Sequence, residues 1–238
     1  MFSCTIVIPC YNEANRLKTD VFASFMEKHR EISFLFVNDG STDATGEILR
    51  TLCENRDNAA FWELPQNRGK AEAVRLGILR AAENGDSGDY IGFWDADLST
   101  SLEEIPRFLE FAGSGMLMIS GCRLRRLGGE IDRTWIRHVL GRTFATIISN
   151  YLDLPVYDTQ CGAKLYQKDA IREIAMRPFV TRWFFDVEIL KRMIDGFGRD
   201  TVLNHCCEVP LTRWREVDGS KLKYMATLKD FIKLLFGK

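Results

Sequence analysis

The sequence predicts an α/β protein with a mostly parallel central sheet flanked by helices, and three observations predict that class. Short apolar segments alternate with helical segments of about 10 to 15 residues, which is typical of βαβ units. The apolar segments end at turn residues, as strands in such units do. The composition, 46% hydrophobic and 27% charged over 238 residues, is ordinary for a globular domain of this length.

The elements before residue 100 follow this alternation in order. The predicted strands are "CTIVIPCY", which Pro9 interrupts, "ISFLFVNDGS", "AAFWELP" and "YIGFWDAD". The predicted helices cover residues 14–30, a segment that starts at Ser41 or Thr42, and a segment that ends at Gly85. Because crossovers between such strands are right-handed, successive strands are expected to run parallel.

After Ser101 the alternation is looser. "MLMISGCR" predicts another strand and "TWIRHVLGRTFATIISNYL" a long helix, while "DTQCGAKLY" and "CCEVPLTRW" are strands or loops that return to the site. Residues 221–238 combine apolar residues at helical spacing with lysines, which predicts a basic amphipathic helix. Such a helix either lies in a membrane interface or packs on the core. We therefore expect a domain over residues 1–220 followed by this helix.

Charge and cysteine content exclude several classes of function. A net charge of −1 gives no support for binding to nucleic acid. The seven cysteines are scattered without zinc spacing, which predicts reduced thiols in a cytoplasmic protein. Met1 is followed almost directly by the first strand, and no apolar run approaches the ~18 residues of a membrane span. We expect neither a signal peptide nor a span, and a protein that is soluble or peripheral at the cytoplasmic face of a membrane.

Polar clusters follow the four predicted parallel strands at the point where each strand ends. They are Tyr11-Asn12-Glu13, Asn38-Asp39-Gly40-Ser41, Gln66-Asn67-Arg68-Gly69-Lys70 and Asp95-Ala96-Asp97. Ligands of such sheets bind beyond the carboxyl ends of the strands, so these clusters are expected to line one crevice. Each cluster alone is compatible with a turn or a helix cap. Together they indicate a site for a nucleotide and a metal.

The pair Asp95 and Asp97 carries the metal prediction. Two neighbouring carboxylates repel each other unless a cation lies between them, and Mg²⁺ or Mn²⁺ prefers such oxygen ligands. The alternative is a helix N-cap with acidic residues near the positive end of the dipole. Arg68 and Lys70 at the start of a helix oppose that dipole, which indicates a bound anion beside them.

The motifs "TIVIPCYNE", "VNDGSTDAT", "NRGKAEAV" and "DADLST" together resemble those of the family-2 glycosyltransferases, which have the GT-A fold. "YDTQCGAKLY", "RWFFDVEIL" and "EVDGSKL" resemble the dolichyl-phosphate β-glucosyltransferase branch and, more distantly, dolichyl-phosphate mannose synthase. The resemblance covers residues 5 to about 236. It departs from the family at Asn38, where many relatives carry an acid, and in lacking the membrane segments of the glucosyl relatives.

The resemblance implies a role for each site residue. The nucleotide-sugar would be bound by Pro9, Tyr11, Glu13, Asp39, Arg68, Lys70 and Asp95. The metal, Mg²⁺ or Mn²⁺, would be held by Asp95 and Asp97. The reacting centre would contain Asp158, Gln160 and Lys221, and the acceptor phosphate would bind Arg123 and Arg142.

The function that the resemblance implies is inverting transfer of a hexose, glucose from UDP-glucose, to a polyprenyl or dolichyl phosphate. A hydroxyl acceptor would require a general base, for which Asp158 is the candidate. A lipid phosphate is already anionic, since phosphate monoesters have a second pKa of about 6. Two alternatives remain within the fold, a saccharide acceptor and mannose from GDP-mannose. "DADLST" also resembles the haloacid-dehalogenase phosphatase motif, although that motif normally follows the first strand of its domain.

Overall fold

The computed structural model describes residues 2–83, 88–113, 115–132 and 135–216, in which one main sheet lies between two layers of helices. The strands are β1 (Cys4–Cys10), β2 (Ile32–Asn38), β3 (Ala59–Glu63), β4 (Tyr90–Trp94), β5 (Met118–Cys122), β6 (Glu130–Asp132), β7 (Ala163–Gln167), β8 (Cys206–Pro210) and β9 (Arg213–Arg215). The helices are α1 (Thr19–Lys28), α2 (Thr45–Cys53), α3 (Lys70–Glu83), α4 (Glu104–Leu109), α5 (Trp135–Leu152), α6 (Lys168–Ala175), α7 (Phe185–Phe197) and α8 (Arg199–His205).

The main sheet has the strand order β3-β2-β1-β4-β7-β5-β8, and β6 pairs with β9 in a small separate sheet. The first four strands are parallel to one another. β7 runs antiparallel between β4 and β5, and β8 is parallel to β5. Because β3, β2, β1 and β4 are parallel neighbours, their carboxyl ends meet at one edge, which confirms the predicted sheet.

Both faces of the central strands are buried, which explains why they are continuous apolar runs. Ile6 and Ile8 of β1 face the apolar layer that contains Phe22 of α1. Val7 faces the opposite layer, where it packs with Val74 of α3. Edge-to-face aromatic contacts strengthen the first layer, and the ring centroids of Phe22 and Phe36 are 5.2 Å apart.

Two predicted helix boundaries were wrong, and at the second of them loop side chains take backbone hydrogen bonds. The predicted helix over 14–30 is shorter, since α1 begins at Thr19. α2 begins at Thr45 instead of Ser41 or Thr42. Asn12 Oδ1 accepts the Thr42 N–H at 2.9 Å, and Asp43 Oδ1 accepts the Thr45 N–H at 3.0 Å. The first bond ties the loop after β1 to the loop after β2, and the second lies within the loop after β2.

The second half confirms β5, α5, β7 and β8 and adds elements that the sequence did not predict, namely α6, α7, α8 and the β6–β9 pair. The predicted C-terminal helix over 221–238, with Lys221, lies outside the described residues, as does the predicted helix end at Gly85. None of the helices in the described part of the chain is both long and apolar enough to cross a membrane.

Candidate active site

Asp39, which follows β2, holds the loop that leads into α3. Its carboxylate accepts the backbone N–H groups of Arg68 and Gly69 at 2.7 and 2.8 Å and the side-chain amide of Asn67 at 3.0 Å. Burial raises the pKa of Asp39 and outweighs the opposite effect of these donors. The carboxylate thereby places Arg68 and Lys70 at the edge where the parallel strands end.

Lys70, the first residue of α3, forms an ion pair with Asp95, the first residue after β4. The Lys70 ammonium donates a hydrogen bond to Asp95 Oδ1. Burial alone would lower the pKa of Lys70, but Asp95 outweighs it and the pKa is raised, so the ammonium stays charged at neutral pH. The Asp95 backbone N–H donates to Gly162 O at 3.0 Å, which fixes the residue against the start of β7.

The chemistry of Asp95 and Asp97 fits a hard divalent cation. Asp95 already attracts a cationic group, and Asp97 Oδ1 accepts the Ser99 N–H at 2.9 Å, which orients the second carboxylate. Across the described residues there is no group of three or more His, Cys, Asp or Glu side chains arranged for a metal. A cation held by two carboxylates would take its other oxygen ligands from a bound diphosphate or from water.

Arg123 and Asp158 form a bidentate ion pair beside this site. Arg123 Nε and Nη2 donate to the two carboxylate oxygens, each at 2.7 Å, and the Arg123 backbone N–H donates at 3.0 Å. Burial alone would lower the pKa of Arg123, but the neighbouring Asp158 carboxylate outweighs this effect and the pKa of the guanidinium is raised. Asp95 also contributes to raising this pKa. The structure therefore brings the predicted acceptor-binding and reaction-centre residues into direct contact.

Arg142 on α5 lies over the ring of the residue that precedes Asp158. Its guanidinium carbon is 3.7 Å from the centre of the Tyr157 ring, and Tyr157 precedes Asp158. Glu208 on β8 accepts the backbone N–H groups of Tyr157 and Asp158, both at 2.7 Å. The sequence prediction missed Glu208, whose only signal is a single acid within the apolar segment "CCEVP".

A second buried ion pair that the sequence prediction missed lies behind Lys70. Lys164 Nζ on β7 is 2.9 Å from Asp186 Oδ1 on α7, and the Lys164 side chain is 2% exposed. The ammonium groups of Lys164 and Lys70 are 5.3 and 5.8 Å from the centre of the Phe93 ring. Burial raises the pKa of Asp186 despite the opposing effect of Lys164. In the sequence, this ion pair is indicated by a lysine within the apolar strand "AKLYQ" and an aspartate within "RWFFDVEIL".

Two buried polar atoms among the predicted site residues have no hydrogen-bond partner in the described structure. They are Glu13 Oε2 and Gln160 Nε2. The other Glu13 oxygen accepts from Arg16 Nη2 at 2.6 Å, and the Glu13 backbone N–H donates to Thr45 Oγ1 at 2.8 Å. Since buried polar groups are normally paired, these atoms are expected to meet ligand atoms. Pro9 and Tyr11 lie on the same segment, at and just beyond the end of β1.

Replacing Gly162 with alanine is expected to lower activity strongly without unfolding the protein. A Cβ at this position would collide with the Asp95 carboxylate, so Asp95 must turn away from its present place. We expect at least about a tenfold loss, as for other small misplacements of a reacting group. Gly196→Ala in α7 is the matched control, because no atom lies within 4 Å of its added Cβ. Transfer assays and urea unfolding of both variants test this, and equal activities would contradict it.

The sheet, with carboxylates and a lysine at the ends of its parallel strands, has the GT-A fold. Solved glucosyl-3-phosphoglycerate synthase from Mycobacterium tuberculosis, in complex with Mn²⁺ and UDP-glucose, shares the fold with a TM-score of 0.67. The two chains are 18% identical, over 98% of this chain and 79% of that one. The structure of the same enzyme with phosphoglyceric acid gives a TM-score of 0.68 at 18% identity, over 98% and 80% of the two chains.

The chain belongs to glycosyltransferase family 2, since residues 5–175 match "Glycosyl transferase family 2". Dolichyl-phosphate β-glucosyltransferase of Saccharomyces cerevisiae is 31% identical, over 97% of this chain and 71% of the yeast protein. The Homo sapiens enzyme of that name is 30% identical, over 92% of this chain and 69% of the human protein. The Dictyostelium discoideum enzyme is 27% identical, over 98% of this chain and 73% of that protein. The chain is therefore a glycosyltransferase, and the phosphatase alternative is wrong.

Proposed function

We propose that the protein transfers glucose, with inversion, from UDP-glucose to a polyprenyl or dolichyl phosphate. A phosphate oxygen attacks the anomeric carbon, the bond from that carbon to the diphosphate breaks, and UDP leaves with the bonding electrons. The donor and the acceptor are supported by the names of the relatives and by the UDP-glucose bound to a protein of the same fold. The contacts of the described residues support the separate parts of this reaction.

The donor half of the proposal uses the loops after β1 and β2 and the start of α3. Glu13 Oε2, which is buried and has no hydrogen-bond partner among the described residues, is suited to accept a hydrogen bond from a ribose hydroxyl. Pro9 and Tyr11 would shape the nucleoside pocket, and Asp39 would lie beside the base while its carboxylate holds the loop before α3. Arg68 and Lys70 supply positive charge for the diphosphate, close to the N-terminus of α3.

Asp95 and Asp97 would hold the divalent cation, Mg²⁺ or Mn²⁺. When bound, the cation neutralises charge that develops on the leaving diphosphate. Lys70 adds a second positive charge at the same place, as would Lys221, which lies outside the described residues. These groups stabilise the leaving group electrostatically and transfer no proton.

The observation that carries the acceptor class is the bidentate bond between Asp158 and Arg123. Both carboxylate oxygens of Asp158 already accept hydrogen bonds from Arg123, so the carboxylate is poorly placed to remove a proton from a hydroxyl. A phosphate acceptor brings its own negative charge and needs no base. In this proposal Asp158 positions Arg123, while Arg123 and Arg142 bind the phosphate and Gln160 Nε2 donates to an oxygen of the reactants.

Contact with a membrane surface is part of the proposal, because the acceptor is a lipid. Three large apolar side chains that are close in sequence to the acceptor residues are exposed, namely Leu127 at 99% and Val139 and Ile147 at 40% each. The exposed Arg125 and Arg126 precede Leu127 and suit an anionic lipid surface. The basic helix predicted over 221–238 would add to this surface.

The experiment measures glucose transfer from labelled UDP-glucose to a polyprenyl phosphate in vesicles of anionic phospholipid. UDP- and GDP-linked hexoses are compared as donors, with Mn²⁺, Mg²⁺ or EDTA. We expect a lipid-linked monosaccharide from UDP-glucose, loss of product with EDTA, and sedimentation of the protein with the vesicles.

Other outcomes contradict defined parts of the proposal. Transfer from GDP-mannose alone would overturn the donor, and product formed only with a saccharide would overturn the acceptor. Full activity in EDTA would overturn the metal. Transfer without sedimentation on vesicles would overturn the membrane contact.

A further inference from the structure

The Lys70–Asp95 ion pair lies where the metal-bound diphosphate is proposed to bind. The pair joins the start of α3 to the end of β4, and its side chains are 32% and 33% exposed, so solutes can reach it. Asp95 is fixed through its backbone bond to Gly162 O. Lys70 carries its ammonium on a flexible four-carbon stem. The lysine is therefore the member of the pair that can move.

Lys164, which faces the same aromatic ring as Lys70, differs from Lys70 in its exposure to solvent. Lys164 is 2% exposed and holds Asp186 at 2.9 Å, whereas Lys70 is partly open to solvent. Both ammonium groups face the ring of Phe93, and Asp186 acts electrostatically on both lysines. Because Lys164 pairs closely with Asp186, the charge of Asp186 is already compensated when Lys70 leaves Asp95.

We propose that Lys70 is an exchangeable counter-ion of Asp95, which holds the carboxylate in the absence of donor and moves to the donor's diphosphate when donor and metal bind. This inference rests on the proposed function, since it requires a diphosphate donor and a divalent cation at Asp95. The Lys70 ammonium and a divalent cation would compete for the Asp95 carboxylate. The diphosphate supplies the anion that compensates the lysine after the exchange.

The exchange predicts a coupling between metal and nucleotide. Without nucleotide, the metal must displace Lys70 from Asp95, and it binds weakly. With UDP present, Lys70 gains a new partner, so UDP and metal are expected to strengthen each other's binding. Removal of the Lys70 ammonium should strengthen metal binding in the absence of UDP. It should also reduce the coupling between metal and UDP binding.

The test measures Mn²⁺ binding by electron paramagnetic resonance of the free ion, with and without UDP, for the wild type and Lys70→Met. Methionine retains an unbranched apolar stem without the charge. We expect the variant to bind Mn²⁺ alone about fivefold more tightly, the size of effect that a partly exposed ion pair produces. The strengthening of Mn²⁺ binding by UDP should shrink in the variant. Lys191→Met, which breaks the exposed pair with Asp195, should bind Mn²⁺ as the wild type does.

Two results would overturn the exchange while leaving the proposed function in place. One is Mn²⁺ binding by Lys70→Met that is no tighter than that of the wild type. The other is that Lys70→Met strengthens Mn²⁺ binding by the same factor with and without UDP, which would mean that Lys70 acts only as a nearby positive charge. A wild type that binds neither Mn²⁺ nor UDP would overturn the proposed function as well as the exchange.

Discussion

Replacing Asp95 with alanine is expected to lower glucose transfer by at least about a thousandfold while the protein remains folded. The substitution removes the carboxylate that Lys70 contacts and that we propose holds the metal on the diphosphate. The side chain is 33% exposed, so its loss opens no cavity in the core. Lys70 loses its partner but remains open to water, which limits the cost in stability to about 1 kcal/mol. Transfer at saturating Mn²⁺ and urea unfolding measure the two effects.

The control for Asp95→Ala is Asp195→Ala on α7. Asp195 is also an exposed acid paired with a lysine, at 3.2 Å from Lys191 Nζ, but it lies near the end of α7 at a solvent-facing position. This variant should transfer glucose at the wild-type rate. Asp97→Ala should resemble Asp95→Ala. If Asp95→Ala keeps a tenth or more of the activity, the carboxylate does not hold the metal.

Replacing Arg123 with methionine is expected to reduce the free energy of unfolding by about 3–5 kcal/mol, because it removes the positive charge that compensates the buried Asp158 carboxylate. The two side chains are only 12% and 9% exposed. The variant should also lose transfer activity, since Arg123 is proposed to bind the acceptor phosphate. Urea unfolding measures the stability, and the KM for polyprenyl phosphate measures acceptor binding.

The chain offers a matched control in Arg213→Met. Arg213 Nε lies 2.7 Å from Glu130 Oε2, the same distance as that from Arg123 Nε to Asp158 Oδ2, but these side chains are 57% and 62% exposed. Solvent screens an exposed pair, so this variant should lose less than about 1 kcal/mol. Equal losses of unfolding free energy in the two variants would contradict the cost assigned to removing the guanidinium from Asp158.

The parts of the site that could be predicted are those that follow from local patterns. A strand that ends in "WDAD" or "VNDG" places its polar residues at the carboxyl end, whatever the rest of the chain does. Parallel neighbours then bring these ends together, as the order β3-β2-β1-β4 confirms for Asp39, Lys70 and Asp95. The predicted start of α2 at Ser41 or Thr42 was wrong, because the Thr42 N–H is bound by Asn12, which lies in a loop 30 residues away.

The sequence by itself determined the α/β class, the four parallel strands and the position of the acidic and basic clusters at their ends, because apolar runs and turn residues act locally. Only the tertiary structure decided which charges meet. Arg123 pairs with Asp158 across 35 residues, Lys164 pairs with Asp186, and Glu208 holds the loop before Asp158. These contacts depend on β7 inserting antiparallel between β4 and β5, with β8 beside β5. Such an order is set by the packing of the whole sheet, which no local pattern encodes.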